Sequence, residues 1–236
     1  MPHIGIVNIT TVGACICANE IVAESARQDP SGKHPEFTMH AFSFDRYKAL
    51  VINQDWNGLA KAILESIQIL KNAGADFIII PSNTPHYAID IIQNQSPLPV
   101  LNLIEFVVEE CSNKKYNQVA VLGTKFTMQG GLYDKPLKDK NILSIIPDET
   151  TCERIHNFIM DEIIPSKVNV NTLEQVKKDI QKMKCDAVIL GCTELPEVFS
   201  EKNLGTAVID TTRLLAKKAV EYCMVRNKTS KIRCRL

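Results

Sequence analysis

Two stretches 110 residues apart repeat one design. They are Ala75-Asp-Phe-Ile-Ile-Ile-Pro-Ser-Asn-Thr84 and Cys185-Asp-Ala-Val-Ile-Leu-Gly-Cys-Thr-Glu194. Each follows a helical pattern and then reads Asp, four apolar residues and one small residue. A nucleophile-type side chain comes next, Ser82 in the first and Cys192 in the second. A weaker echo links Gly5-Ile-Val-Asn-Ile-Thr-Thr11 with Ala120-Val-Leu-Gly-Thr-Lys-Phe-Thr127. Two strand pairs recurring at about half the chain length imply two similar α/β halves.

The rest of the chain has the same texture. Short β-branched runs at 4–7, 38–42, 77–80, 100–103, 119–122, 142–146, 187–190 and 207–208 read as strands. Several are apolar on both faces, as in strands covered by helices on each side. Between them lie amphipathic helices. The clearest spans 55–74, with Leu59, Ala60, Ile63, Ile67 and Leu70 on one face, Asp55 as cap and Gly74 as stop. A second starts near Asn171 and carries Leu173, Val176, Ile180 and Met183. Thr172 and Gln175 have capping-box spacing there if Thr172 is the cap. A third follows Asp210. Residues 26–35 read as a surface loop. The alternation predicts an α/β fold of two similar, pseudo-twofold-related domains, each a mainly parallel sheet flanked by helices. Their expected extents are 1–105 with 208–236, and 106–207.

Composition narrows the partners. The 236 residues carry 27 basic and 27 acidic side chains, and this balance gives no support for a nucleic-acid or anionic-membrane partner. The basic stretch over 228–236 reads as a solvated tail. No apolar run reaches the ~18 residues of a membrane span. Eight cysteines show neither a C-x-x-C pair nor zinc spacing, and the N-terminus enters a strand directly with no signal-like segment. A reducing cytoplasm is expected. Neither a metal nor a lysine-linked cofactor is indicated.

Ligands of open α/β sheets bind beyond the carboxyl ends of the strands. Ser82 and Cys192 both stand at such ends. If the halves face each other, an active site in the cleft between them has one side chain on each face of a bound stereocentre. One takes the α-proton and the other returns a proton to the opposite face. The carbanion needs donors aimed at the substrate carboxylate. Asn83, Thr84, Thr193 and Glu194 follow the two central residues, and Thr11, Thr124 and Thr127 follow the other two strands. Helix N-termini nearby are expected to lower the Cys192 pKa. Singly, each residue has a plainer reading: a buried structural cysteine, turn or cap residues at Ser82 and the threonines, a structural His86, and solvated loop positions at Asp76 and Asp186.

The runs Pro81-Ser-Asn-Thr-Pro-His86, Leu122-Gly-Thr-Lys-Phe-Thr-Met128, Ile189-Leu-Gly-Cys-Thr-Glu-Leu-Pro196 and Asp210-Thr-Thr212 resemble the signatures of the aspartate/glutamate racemase family. The resemblance implies two facing catalytic cysteines, no pyridoxal phosphate, a small amino-acid substrate and a homodimer. The first family cysteine falls on Ser82, and a hydroxyl is a far poorer base than a thiol near neutral pH. The second, Cys192, is the one the family assigns to the proton of the L-enantiomer. The expected activity is therefore a racemase of a small acidic or related amino acid that favours the L-form. Two other readings stand beside it: a single-cysteine decarboxylase or isomerase of the same superfamily, and an inactive amino-acid-binding protein. Arg46 and Lys167 lie near positions where family members use a cation for substrate. Asn8-Ile-Thr-Thr11 departs from the Gly-Gly that often follows the family's first strand.

Overall fold

A computed structural model describes residues 1–233, with side chains as far as Arg226. The chain divides into two compact units, Met1–Leu103 with Thr212–Leu236, and Ile104–Thr211.

The first unit is built on β1 (Ile4–Asn8), β2 (Phe37–Ala41) and β3 (Phe77–Ile79), all parallel, in the order β2-β1-β3. The connections hold α1 (Thr11–Gln28), α2 (Phe44–Ile52) and α3 (Trp56–Asn72). A 3-10 turn (Thr84–Ala88) and α4 (Ile89–Gln95) follow β3. β1 and β3 are buried throughout, as their two-faced apolar runs require. The strand expected over 100–103 is a single bridge from Val100 to Ile78. Pro97 and Pro99 bring no N–H to a ladder, and Leu103 already opens α5 (Leu103–Asn113). The loop expected over 26–35 starts at Asp29. Arg27 extends α1 by pairing with Glu20 and, at 2.7 Å, with Glu24.

α3 shows how sequence sets packing. Leu59, Ile63, Ile67 and Leu70 are fully buried, one every turn, in the core beneath the sheet. Each such burial contributes about 1.5–3 kcal/mol. The Asp55 carboxylate accepts the Gly58 N–H at 2.8 Å and so starts the helix. Gly74 ends it with φ +96°, a conformation that suits a residue without Cβ.

The second unit contains β4 (Gln118–Leu122), β5 (Leu143–Ile145), β6 (Ala187–Leu190) and β7 (Ala207–Asp210), parallel in the order β5-β4-β6-β7. Short helices α6 (Lys125–Gln129) and α7 (Asp134–Lys138) follow β4. α8 (Glu149–Asn157), a π-helical turn (Phe158–Ile163) and α9 (Val170–Lys182) lie between β5 and β6, and α10 (Glu201–Leu204) precedes β7. α11 (Thr211–Arg233) returns the chain to the first unit. The cap of α9 is Asn169, whose side chain accepts the Asn171 N–H at 2.8 Å, so Thr172 lies inside the helix. β7 pairs along its whole length with β6, from Ala187–Ala207 to Leu190–Asp210. A boundary at 207/208 would cut this strand, which belongs with the second unit.

The sequence repeat is a repeat of register. Ile4 lies opposite Phe77 in one sheet, as Val119 lies opposite Ala187 in the other. The two aspartates lock it. Asp76 accepts the His3 N–H at 2.7 Å and donates its own N–H to His3 O at 2.8 Å. Asp186 accepts the N–H groups of Asn117 and Gln118 at 2.7 and 3.1 Å and donates to Gln118 O at 2.9 Å. Exposed as they are, these residues are the pins that align neighbouring strands rather than freely solvated loop positions. The basic C-terminal stretch, apart from helical backbone to Arg233, lies outside the described residues. No helix of the described residues is long and apolar enough to cross a membrane.

Candidate active site

Because every strand of a sheet runs the same way, the loops after the strands emerge at one edge. In the first unit this edge gathers Thr11 at the start of α1, Arg46 in the first turn of α2, and Ser82, Asn83 and Thr84 after β3. The chain turns sharply beyond β3, where the Ser82 N–H donates to Ile80 O at 2.8 Å. Asn83 is buried and Ser82 half-buried. His86 sits in the 3-10 turn that follows, 3% exposed. Its Nδ1 lies 2.9 Å from Ser82 O, and its Nε2 accepts the Leu103 N–H at 3.2 Å. Burial lowers its pKa to about 4, so the ring is neutral. Arg46 is engaged within its own unit: it pairs with Glu65 of α3 and stands over the Phe42 ring, 4.2 Å from its centroid.

In the second unit β4 and β6 end side by side, and the Gly191 N–H donates to Leu122 O at 2.7 Å. Thr124 caps α6, and Thr127 is buried one turn on. Gly123 permits this: a Cβ there would meet the Thr127 Cβ at 2.9 Å. After β6, the Cys192 thiol donates to Glu194 Oε2 at 2.9 Å, and the Thr193 hydroxyl donates to the same oxygen at 2.8 Å. Thr193 and Glu194 are both buried. Thr211, the first residue of α11, ties the edge together by donating to Leu190 O at 3.1 Å.

Cys192 keeps part of its surface accessible. Loss of water around the sulfur, and then the Glu194 carboxylate beside it, push the thiol well above its usual pKa. The backbone N–H groups of Glu194 and Thr193 act the other way and are outweighed. The expected lowering by a helix N-terminus is thus corrected: a short 3-10 turn (Leu195–Glu197) follows, and a carboxylate faces the sulfur. Glu194, expected among the substrate contacts, has its carboxylate committed to Cys192 and Thr193. Lys167 is exposed just after the turn that closes the π-helical segment and does not follow a strand. Among the described residues, no three His, Cys, Asp or Glu side chains gather as a metal site.

Equivalent strand ends carrying a hydroxyl and a thiol, in two units of like register, define a duplicated α/β class. The chain belongs to the Asp/Glu/Hydantoin racemase family, whose model matches residues 4–219. The glutamate racemase of Aquifex aeolicus is 30% identical over 171 residues, which are 70% of this chain and 65% of that enzyme, just under two thirds of its length. The broad-specificity amino-acid racemase RacX of Bacillus subtilis is 29% identical over 167 residues, 70% of this chain and 73% of RacX. Among solved structures, an aspartate racemase homologue from Pyrococcus horikoshii is similar with a TM-score of 0.82 and 26% identity, covering 94% of this chain and 99% of that one.

Proposed function

We propose that the protein is a cofactor-independent racemase of a small acidic or related amino acid, with Cys192 exchanging the α-proton on one face and the Ser82 side returning a proton on the other. The observation that carries this reading is the 2.9 Å bond from the Cys192 thiol to Glu194, on the residue that the repeat equates with Ser82. A thiol bonded to a carboxylate has an exit for its proton. The proton moves from Sγ to Oε2, leaving a thiolate beside a neutral acid. The thiolate takes the α-proton, and the electron pair spreads into the substrate carboxylate. Donors at Asn83, Thr84, Thr124 and Thr127 offset that charge. The Ser82 hydroxyl is too weak a base to start the reaction from its own side, but it can supply or relay a proton. The enzyme therefore favours the L-enantiomer. The names of the relatives support an acidic substrate. A cytoplasmic location is supported by cysteines without disulfide or zinc spacing, and a homodimer by the family resemblance.

A second reading has its own support. At rest the Cys192 sulfur is held as a thiol, and a thiol that only donates suits a decarboxylase of substituted malonates. Incubation with L- and D-aspartate and glutamate in D₂O, with NMR and chiral analysis, tests both readings. Cys192-dependent loss of the α-proton with accumulation of the opposite enantiomer supports the racemase. No exchange from any of the four, with release of carbon dioxide from a substituted malonate, supports the decarboxylase.

A further inference from the structure

A hydroxyl that must return a proton is useful only if it points at the substrate carbon. Ser82 sits beyond a three-residue strand, in a turn with no ladder partner of its own. Its backbone is nevertheless held at both polar groups. Its N–H donates to Ile80 O at 2.8 Å, and its C=O receives the His86 imidazole at 2.9 Å. The other ring nitrogen of His86 is 3.2 Å from the Leu103 N–H. A backbone N–H only donates, so Nε2 is the acceptor and carries no proton. The proton is on Nδ1 and is donated to Ser82 O. The backbone on both sides thus sets the tautomer, and the ring spans from the nucleophile turn to the first residue of α5.

The second unit uses a different device. The position equivalent to His86 is Pro196, and Cys192 O accepts the Leu195 N–H at 3.2 Å. The imidazole brace therefore belongs to the serine side alone, where the weaker proton carrier stands.

We infer that His86 is a positioning residue for the Ser82 half of the reaction, orienting the hydroxyl through the Ser82 carbonyl. This rests on the racemase reading. Two variants separate orientation from mere folding. Asparagine can place an N–H near the Nδ1 position, whereas glutamine can reach toward Leu103 at the expense of Ser82. In the whole protein, His86→Gln is expected to slow formation of the opposite enantiomer from L-substrate by about 10- to 100-fold, the scale of a misplaced reacting group. It is expected to leave Cys192-dependent α-proton loss from the same substrate within about 3-fold, and His86→Asn is expected to restore most of the inversion. Equal slowing of both steps in both variants, or no slowing of inversion in either, overturns the inference. The ring also has a readout independent of turnover. Nitrogen-15 NMR of the wild-type protein is expected to show His86 neutral with its proton on Nδ1, and a proton on Nε2 overturns the brace. Absence of exchange by the wild-type protein marks failure of the racemase reading instead, and the positioning role falls with it.

Discussion

The Cys192 sulfur and the Thr193 hydroxyl both donate to one oxygen, Glu194 Oε2, at 2.9 and 2.8 Å. The carboxylate thereby does two opposed things to the thiol. Its charge resists formation of a thiolate, and its lone pair offers the proton somewhere to go. Glu194→Gln separates the two. The amide oxygen still accepts both bonds, but the charge and the proton sink are lost. The Cys192 pKa is expected to fall toward the ordinary thiol range, with burial still holding it up. The midpoint of its alkylation rate against pH, measured with Cys15 replaced, should move down. Turnover should nonetheless drop by about 10²–10⁴, the usual contribution of a general acid or base. An unchanged midpoint would separate Glu194 from the control of the thiol.

Cys192→Ser keeps a small polar side chain at the end of β6 and removes the thiol. Turnover should fall by about 10³-fold or more, while calorimetric binding of the L-amino acid changes little. Retained turnover would move the chemistry off Cys192. Joint loss of binding and turnover would mark the thiol as a substrate contact.

Much of this site was legible in the chain because its signals are local. Asp55, the five apolar positions of α3 and Gly74 lie within one helix, so periodicity and capping gave its ends. The repeat placed Ser82 and Cys192 at equivalent strand ends because both strands are apolar on each face. What escaped depends on partners far along the chain. Asp76 and Asp186 look like loop residues until His3 and Asn117–Gln118 are brought beside them. Arg46 reads as a free cation until α2 packs against α3 and presents Glu65. The direction of the Glu194 carboxylate is set by the turn after β6, which residue types do not encode. The strand expected over 100–103 stops at one bridge because α5 opens at Leu103, a helix start that the apolar run concealed.

The asymmetry between Ser82 and Cys192 predicts its own reversal. In the wild-type protein, α-proton loss should be faster from L- than from D-substrate, because only one side carries a thiol. On the racemase reading, Ser82→Cys gives its side of the substrate a base and should raise α-proton loss from D-substrate by about tenfold or more, bringing the two exchange rates together. Initial α-proton loss to D₂O from each enantiomer, followed by NMR, checks this. A D-rate that does not rise would mean that the Ser82 position does not face the α-carbon.

At Gly123 the backbone passes so close to Thr127 that an added Cβ would sit 2.9 Å from the threonine Cβ. Both atoms are near the main chain, and Thr127 is held in α6, so neither yields easily. Gly123→Ala should cost about 1–3 kcal/mol and push Thr127 off the end of β4. If Thr127 contacts substrate, KM should rise more than the stability loss explains. Denaturation and steady-state kinetics on the same preparation separate the two effects. A normal KM in a destabilised variant would make Thr127 a packing residue.

His86 also ties stability to pH. Its ordinary pKa is 6.5, and burial lowers it to about 4 in the folded protein. Between those values the unfolded chain takes up a proton that the folded one refuses. The stability that depends on a neutral His86 is therefore complete above pH 6.5, declines as pH falls toward 4, and loses nothing further from this group below that. The span corresponds to about 3 kcal/mol, at about 1.4 kcal/mol per pKa unit. Asparagine does not titrate, so His86→Asn should be less stable near neutrality and show a shallower decline across the same window. Urea denaturation at half-unit steps of pH from 4 to 7.5 measures both slopes. Parallel slopes would mean that other groups carry the acid sensitivity and that His86 takes up a proton as readily in the folded chain as in the unfolded one.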